Sequence, residues 1–155
     1  MTSAAPRVLI VDDERFFREA LTEVLTAAKF ETDVAQDGRE ALAKIVDPHF
    51  GVVVLDIQMP GMDGLQVLAR LREMRPALRV IILSAHTDQE RVLEALRAGA
   101  ADYLAKPIHD EELILAVRRS SESFEAIESS SRLRSRLRAL ESRVAALSGL
   151  AGTLN

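Results

Sequence analysis

Val8-Leu9-Ile10-Val11-Asp12-Asp13 and Val52-Val53-Val54-Leu55-Asp56 share one form, four apolar residues followed by acid. A continuous apolar run of strand length, rich in β-branched residues, suits a strand buried on both faces of a parallel sheet. Val80-Ile81-Ile82-Leu83 is a third such run, while Glu31-Thr32-Asp33-Val34 and Asp102-Tyr103-Leu104 read as two shorter strands. Helical spacing fills the intervals: Phe17, Leu21, Val24 and Leu25, then Ala41, Leu42 and Ile45, then Leu65, Leu68 and Leu71. Val92, Leu93 and Leu96 mark a fourth helix, and Leu113, Leu115, Ala116 and Val117 begin a fifth. Asp37-Gly38 stands where the second helix should start, and Asp88 is placed to cap the fourth.

Five β-then-α units in succession call for an α/β fold with right-handed crossovers. The expected architecture is a doubly wound (βα)5 flavodoxin-like parallel sheet, strand order 2-1-3-4-5, followed by a long C-terminal helix.

Composition narrows the class. The 155 residues are 48% hydrophobic and 28% charged, too apolar for a chain that stays disordered. Cysteine is absent, which excludes a disulfide framework and Cys-ligated metal sites. His49, His86 and His109 form no His-x-x-x-His pair, so a helix-borne metalloprotease site is out. The apolar runs are too short for a bilayer span, and Met1 to Arg7 lacks the apolar stretch of a secretory signal. A cytoplasmic protein without membrane contact is expected. A net charge of −4 argues against broad nucleic-acid binding.

Charge shifts near residue 120. Residues 1–119 hold 15 Lys+Arg and 20 Asp+Glu, whereas residues 120–155 hold 5 and 4, with eight Ser between Ser120 and Ser142 and no Pro. This divides the chain into a domain over 5–119 and a helical coiled-coil extension or linker over 120–155.

Ligands of such sheets bind outside the carboxyl ends of the strands, at the switch point between the first and third. Asp12 and Asp13 end the first strand and Asp56 ends the third, so three carboxylates converge there. Crowded like charges raise one another's pKa unless a cation neutralises them, and Mg2+ is the hard divalent ion expected. Taken singly, Asp12 and Asp13 read more readily as caps of the first helix and Asp56 as the start of a turn; together at strand ends 1 and 3 they favour a site. Ser84 follows the fourth strand and Lys106-Pro107 the fifth, adding a hydroxyl and an ammonium at the same rim. Carboxylates, metal, hydroxyl and ammonium together suit a phosphoryl group, with one carboxylate left as nucleophile. Pro107 is a candidate for a cis peptide bond that helps aim Lys106. No Gly-rich phosphate loop is present, so a nucleotide is not the expected ligand.

Val8-Leu9-Ile10-Val11-Asp12-Asp13-Glu14, Leu55-Asp56-Ile57-Gln58-Met59-Pro60-Gly61-Met62-Asp63-Gly64, Ser84-Ala85 and Tyr103-Leu104-Ala105-Lys106-Pro107 resemble the receiver domain of bacterial two-component response regulators. The likeness implies that Asp56 accepts a phosphoryl group from a phosphohistidine of a sensor histidine kinase. It implies Mg2+ on Asp13, Asp56 and the main-chain carbonyl of Gln58, with Asp12 holding it through water. Ser84 and Lys106 would contact the phosphoryl oxygens. In the switch it implies, Ser84 moves toward the phosphoryl group, Tyr103 turns inward, and the face of helix 4, strand 5 and helix 5 changes. Gln58 and His86, two residues beyond Asp56 and Ser84, flank the site and are candidates for tuning phosphoryl lifetime, with His86 equally readable as an exposed bystander; His49 reads as a bystander and His109 as the start of helix 5. Haloacid-dehalogenase-like phosphatases also use a strand-end Asp, but seek a second acid two residues on. Gln58 cannot serve as that acid, so a switch rather than an enzyme is expected.

The tail carries Leu133, Leu137, Leu140, Val144, Leu147, Ala151 and Leu154 at alternating steps of four and three, a heptad seam. Ile127 lies six residues before Leu133, a phase break inside Ser129-Ser130-Ser131 that reads as a stammer or hinge. Three uses are open: a parallel dimeric coiled coil, a helix folded back on its own domain, or a basic nucleic-acid segment. The last is disfavoured because the arginines alternate with Glu and Ser and no stacking aromatic is near. Thirty-six residues cannot hold an output domain with its own core. The expectation is therefore a stand-alone regulator or the front of a longer protein, with a downstream effector as partner. A structural dimerisation module whose receiver does not cycle is the alternative.

Overall fold

The computed structural model describes residues 5–85 and 88–153, with side chains described through Gly149. His86 and Leu154 lie outside the described residues, and of Ala151 only the backbone is described. No described helix is long and apolar enough to cross a membrane.

The elements alternate from end to end: β1 (Arg7–Val11), α1 (Arg15–Ala27), β2 (Thr32–Ala35), α2 (Gly38–Lys44), β3 (Phe50–Asp56), α3 (Gly64–Met74), β4 (Arg79–Ala85), α4 (Gln89–Arg97), β5 (Asp102–Lys106) and α5 (Asp110–Thr153). The strands form one sheet in the order β2-β1-β3-β4-β5, with every pairing parallel. This is the doubly wound order expected from the sequence.

The side-chain period of two sorts the apolar runs onto both faces. Val8, Ile10, Val52, Val54, Ile81 and Leu83 pack with Leu21 and Leu25 of α1 and Leu113, Ala116 and Val117 of α5. Leu9, Val11, Val53, Leu55, Val80 and Ile82 pack instead on Ala41 of α2, Val67, Leu68 and Leu71 of α3 and Ala95 of α4. β3 is central, and all seven of its residues are buried. Each large aliphatic side chain so buried contributes about 1.5–3 kcal/mol, which holds the register of β3 against slippage.

Several strands run further than their apolar cores. β3 includes Asp56, β4 includes Ser84, and β5 reaches Lys106. Ladder hydrogen bonds use only the main chain, so polar residues stay in the sheet where neighbouring strands still pair. At the helix starts, the Asp37 carboxylate accepts from the Glu40 N–H at 2.9 Å and caps α2. Asp88 occupies the N-cap position of α4 but makes no capping bond. Its carboxylate accepts from Gln58 Nε2 instead, at 3.1 Å. Leu115, counted among the fifth helix's apolar positions, faces outward.

Burial along α5 continues past Val117 through Ser120, Ser121 and Phe124. Phe124 fits against Gly51 and Pro6; a Cβ on Gly51 would lie 2.5 Å from both the Phe124 ring and the Pro6 side chain. The composition change at 120 therefore falls inside packed structure. One compact unit runs to Glu125 and a second starts at Ala126. In the second unit the chain is helical through Ser129-Ser130-Ser131, and no described residue from Ala126 to Gly149 is buried.

Candidate functional site

Because the strands are parallel, their carboxyl ends lie on one edge, and three of them deliver acids or an amine there. Asp12 and Asp13 follow β1, Asp56 closes β3 and Lys106 closes β5. Carboxylate oxygens of Asp12, Asp13 and Asp56 lie within 4.8 Å of one another. Asp12 and Asp56 are buried and Asp13 is exposed, so the cluster opens to solvent on one side. Neither Asp12 nor Asp13 caps α1; Glu14 holds that position. Asp12 Oδ1 accepts the Glu14 N–H at 2.9 Å, while Asp12 Oδ2 is buried with no hydrogen-bond partner. Burial chiefly, with Asp56 and Asp13 adding repulsion, pushes the Asp12 carboxyl up to about 6 against the pull of the Glu14 N–H and Lys106.

Asp56 is held from both sides. Its Oδ1 accepts the Gln58 N–H at 2.9 Å, and its Oδ2 accepts from Lys106 Nζ at 3.2 Å. Lys106 lies 4.6 Å from the centre of the Phe17 ring, which steadies the ammonium beside the acid. The Lys106–Pro107 peptide bond is cis. Ser84 is buried near the rim, but its hydroxyl donates to the Ala85 carbonyl at 3.1 Å. A cleft of about 320 Å³ runs from Ser84 past Asp88, Val92 and Leu96 to Tyr103. The Tyr103 side chain is 45% exposed, so the ring is not seated in the core.

The loop after β3 is built to keep Asp56 and Gln58 in place. Gly61 takes φ +85°, a left-handed conformation that disfavours a Cβ, and Gly64 packs directly on the Ile57 backbone. Asp63 and Gln66 form a reciprocal capping box at the start of α3. Arg91 of α4 donates to the Asp63 carboxylate and to the Ile57 carbonyl, the latter at 3.2 Å. Its Nε lies 3.8 Å from Asp88, so one guanidinium ties α4 to the loop.

Phe17 is legible in the sequence only as an apolar position of the first helix, and Arg18 and Arg91 carry no expected role at the site. Arg18 donates to the Asp12 carbonyl at 2.7 Å. Phe17 and Arg18 lie in the first turn of α1, a position that the acidic pair just before it signals; Arg91 acts across 28 residues and carries no local signal. The two described histidines sit outside the carboxylate cluster. His49 pairs with Asp47 at 2.8 Å, and His109 lies 4.0 Å from Glu112.

A family model, that of the response regulator receiver domain, matches residues 8–118. The regulatory protein AtoC of Escherichia coli is 42% identical over 118 residues, covering 76% of this chain and 26% of that protein. The chain thus spans about a quarter of the length of the first curated relatives it matches. A crystal structure of NtrX from Brucella abortus in complex with ADP superposes with a TM-score of 0.78 at 35% identity, covering 84% of this chain and 30% of that one. A crystal structure titled as adenylate cyclase from Rhodopirellula baltica gives a TM-score of 0.79 at 28% identity, over 84% of this chain and 97% of that one.

Proposed function

The chain belongs to the response regulator receiver domain family of two-component systems, and from that premise we propose that it is a phosphorylation-driven switch with Asp56 as phosphoacceptor. The observation that carries this reading is the hold on Asp56, buried at a strand end with one oxygen on the Gln58 N–H and the other on Lys106. Receiver domains of this family partner with sensor histidine kinases. In transfer, an Asp56 carboxylate oxygen attacks phosphorus, the P–N bond to the donor imidazole breaks, and the electron pair stays on the ring nitrogen.

The donor set fits a hard cation: three carboxylates, one with a buried oxygen lacking any partner, and no nitrogen or sulfur ligand. Asp12, Asp13, Asp56 and the Gln58 carbonyl would hold Mg2+, which supplies positive charge against the carboxylates and the phosphoryl oxygens. Lys106 offsets charge from the other side. Ser84 must leave the Ala85 carbonyl to donate to a phosphoryl oxygen, and the cleft beside it receives the Tyr103 ring. The new dianion shifts the α4, β5 and α5 face only by its preference for that arrangement.

The protein acts without a turnover substrate, in the cytoplasm, and pairs through the exposed seam of its C-terminal helix to signal to a downstream effector. Acetyl phosphate with Mg2+ tests the phosphoacceptor. Wild type gains about 80 Da, the mass of one phosphoryl unit, and Asp56→Asn gains nothing. No gain in wild type favours the structural dimerisation module.

A further inference from the structure

Leu133, Leu137, Leu140, Val144 and Leu147 are each at least half exposed on α5. Nothing described in that unit covers them. Apolar side chains aligned on an exposed helix face gain by leaving water, so this stripe calls for a partner surface. Alternating steps of four and three place Leu133, Leu140 and Leu147 at d positions and Leu137 and Val144 at a positions. The flanks are then fixed: Arg134, Glu141 and Ser148 at e, Arg136 and Arg143 at g. Arg134 donates to Ser130 Oγ within its own helix at 3.3 Å. Among the described residues, Arg136, Glu141 and Arg143 have no ion pair within the chain.

These flanks discriminate between partners and directions. In a parallel, in-register pair, each g residue lies beside the e residue of the next heptad on the other helix. Arg136 then meets Glu141 twice over, once on each side of the seam. Arg143 meets Ser148, and no like charges touch. An antiparallel pair sets g against g, and both of these g positions are arginine. One antiparallel alignment brings Arg136 against Arg143 and offsets it with Arg134 against Glu141. A second brings Arg143 against Arg143 and Glu141 against Glu141, and a third Arg136 against Arg136 and Arg134 against Arg134. Leucine at every d position with valine at one a position also suits two parallel strands.

We infer that the seam takes a second copy of this chain, parallel and in register, with Arg136 of each copy against Glu141 of the other fixing the direction. The inference rests on the dimerising helix proposed above and is independent of phosphoryl acceptance at Asp56.

Sedimentation equilibrium of the full chain without a phosphodonor tests it. Wild type sediments as a dimer. Arg136→Glu and Glu141→Arg each weaken the dimer about tenfold, and the double variant returns to within about twofold of wild type. An Arg136→Glu dimer as tight as or tighter than wild type overturns the parallel register, since that change relieves or ignores antiparallel contacts. A monomeric wild type overturns the seam as a dimer interface, whatever Asp56 does. The absence of native cysteine allows a second readout. Oxidised Leu133→Cys forms a covalent dimer only when the helices are parallel, because an antiparallel pair sets this d position across from an a position and never from its own counterpart; failure to cross-link contradicts the inference.

Discussion

β3 and the second half of α5 stand in opposite relations to water. Every residue of β3 is buried between two layers of helix, and its polar end residue Asp56 is held there by the Gln58 N–H and Lys106. From Ala126 to Gly149 no described residue of α5 is buried, although its apolar residues are as regularly spaced. The strand is specified by its own chain. The helix displays an apolar stripe that nothing described in its own unit covers, and the proposed dimer supplies the complement from a second copy.

Substitutions break or sharpen this contrast. Leu55→Ala, in the middle of β3, costs about 4 kcal/mol in urea denaturation, because a packed core closes poorly over a cavity. A cost under about 1 kcal/mol would mean that β3 is not the rigid centre. Phe124→Ala follows at about 3 kcal/mol, since the ring fills the space that Gly51 leaves open. A loss that size would place the edge of internally specified structure beyond residue 120, where composition alone draws it.

Asp12 gives a smaller effect of opposite sign. Its folded carboxyl, near 6, lies above its ordinary value of 3.8. Between about pH 4 and about 6 the unfolded chain loses this proton while the folded one keeps it, so metal-free stability falls as pH rises through that window. Asp12→Asn flattens the slope in EDTA and raises stability at pH 7.5 by about 2 kcal/mol. Urea titrations across the window check it, and an unchanged slope would remove Asp12 as the strained group. Leu140→Ala has the least effect on receiver unfolding, within about 0.5 kcal/mol, while it weakens self-association. A larger change would show that the seam packs on its own domain.

The contrast also explains what could be read in the sequence. Val8–Val11, Val52–Leu55 and Val80–Leu83 announce buried parallel strands because the runs are continuous, of strand length and rich in β-branched residues. Once the strands are placed, parallel topology alone carries Asp12, Asp13, Asp56 and Lys106 to one edge. Strand ends were less legible. Asp56 and Ser84 stay in the sheet through main-chain pairing, which side-chain polarity does not reveal. The Arg91 tie to Asp63 and Ile57, and the fit of Phe124 on Gly51, join distant segments and follow no local spacing. The phase break at Ser129-Ser130-Ser131 did not end the helix, since serine lowers helix propensity only modestly.

Calorimetric titration of Mg2+ into the full chain at pH 7.5, beside Asp13→Asn, tests most directly whether the strand-end acids form a cation site. One ion per wild-type chain, with affinity at least about tenfold lower in the variant, is the predicted result. Equal affinity in the two proteins, or no binding by heat or by a shift in unfolding temperature, would contradict it.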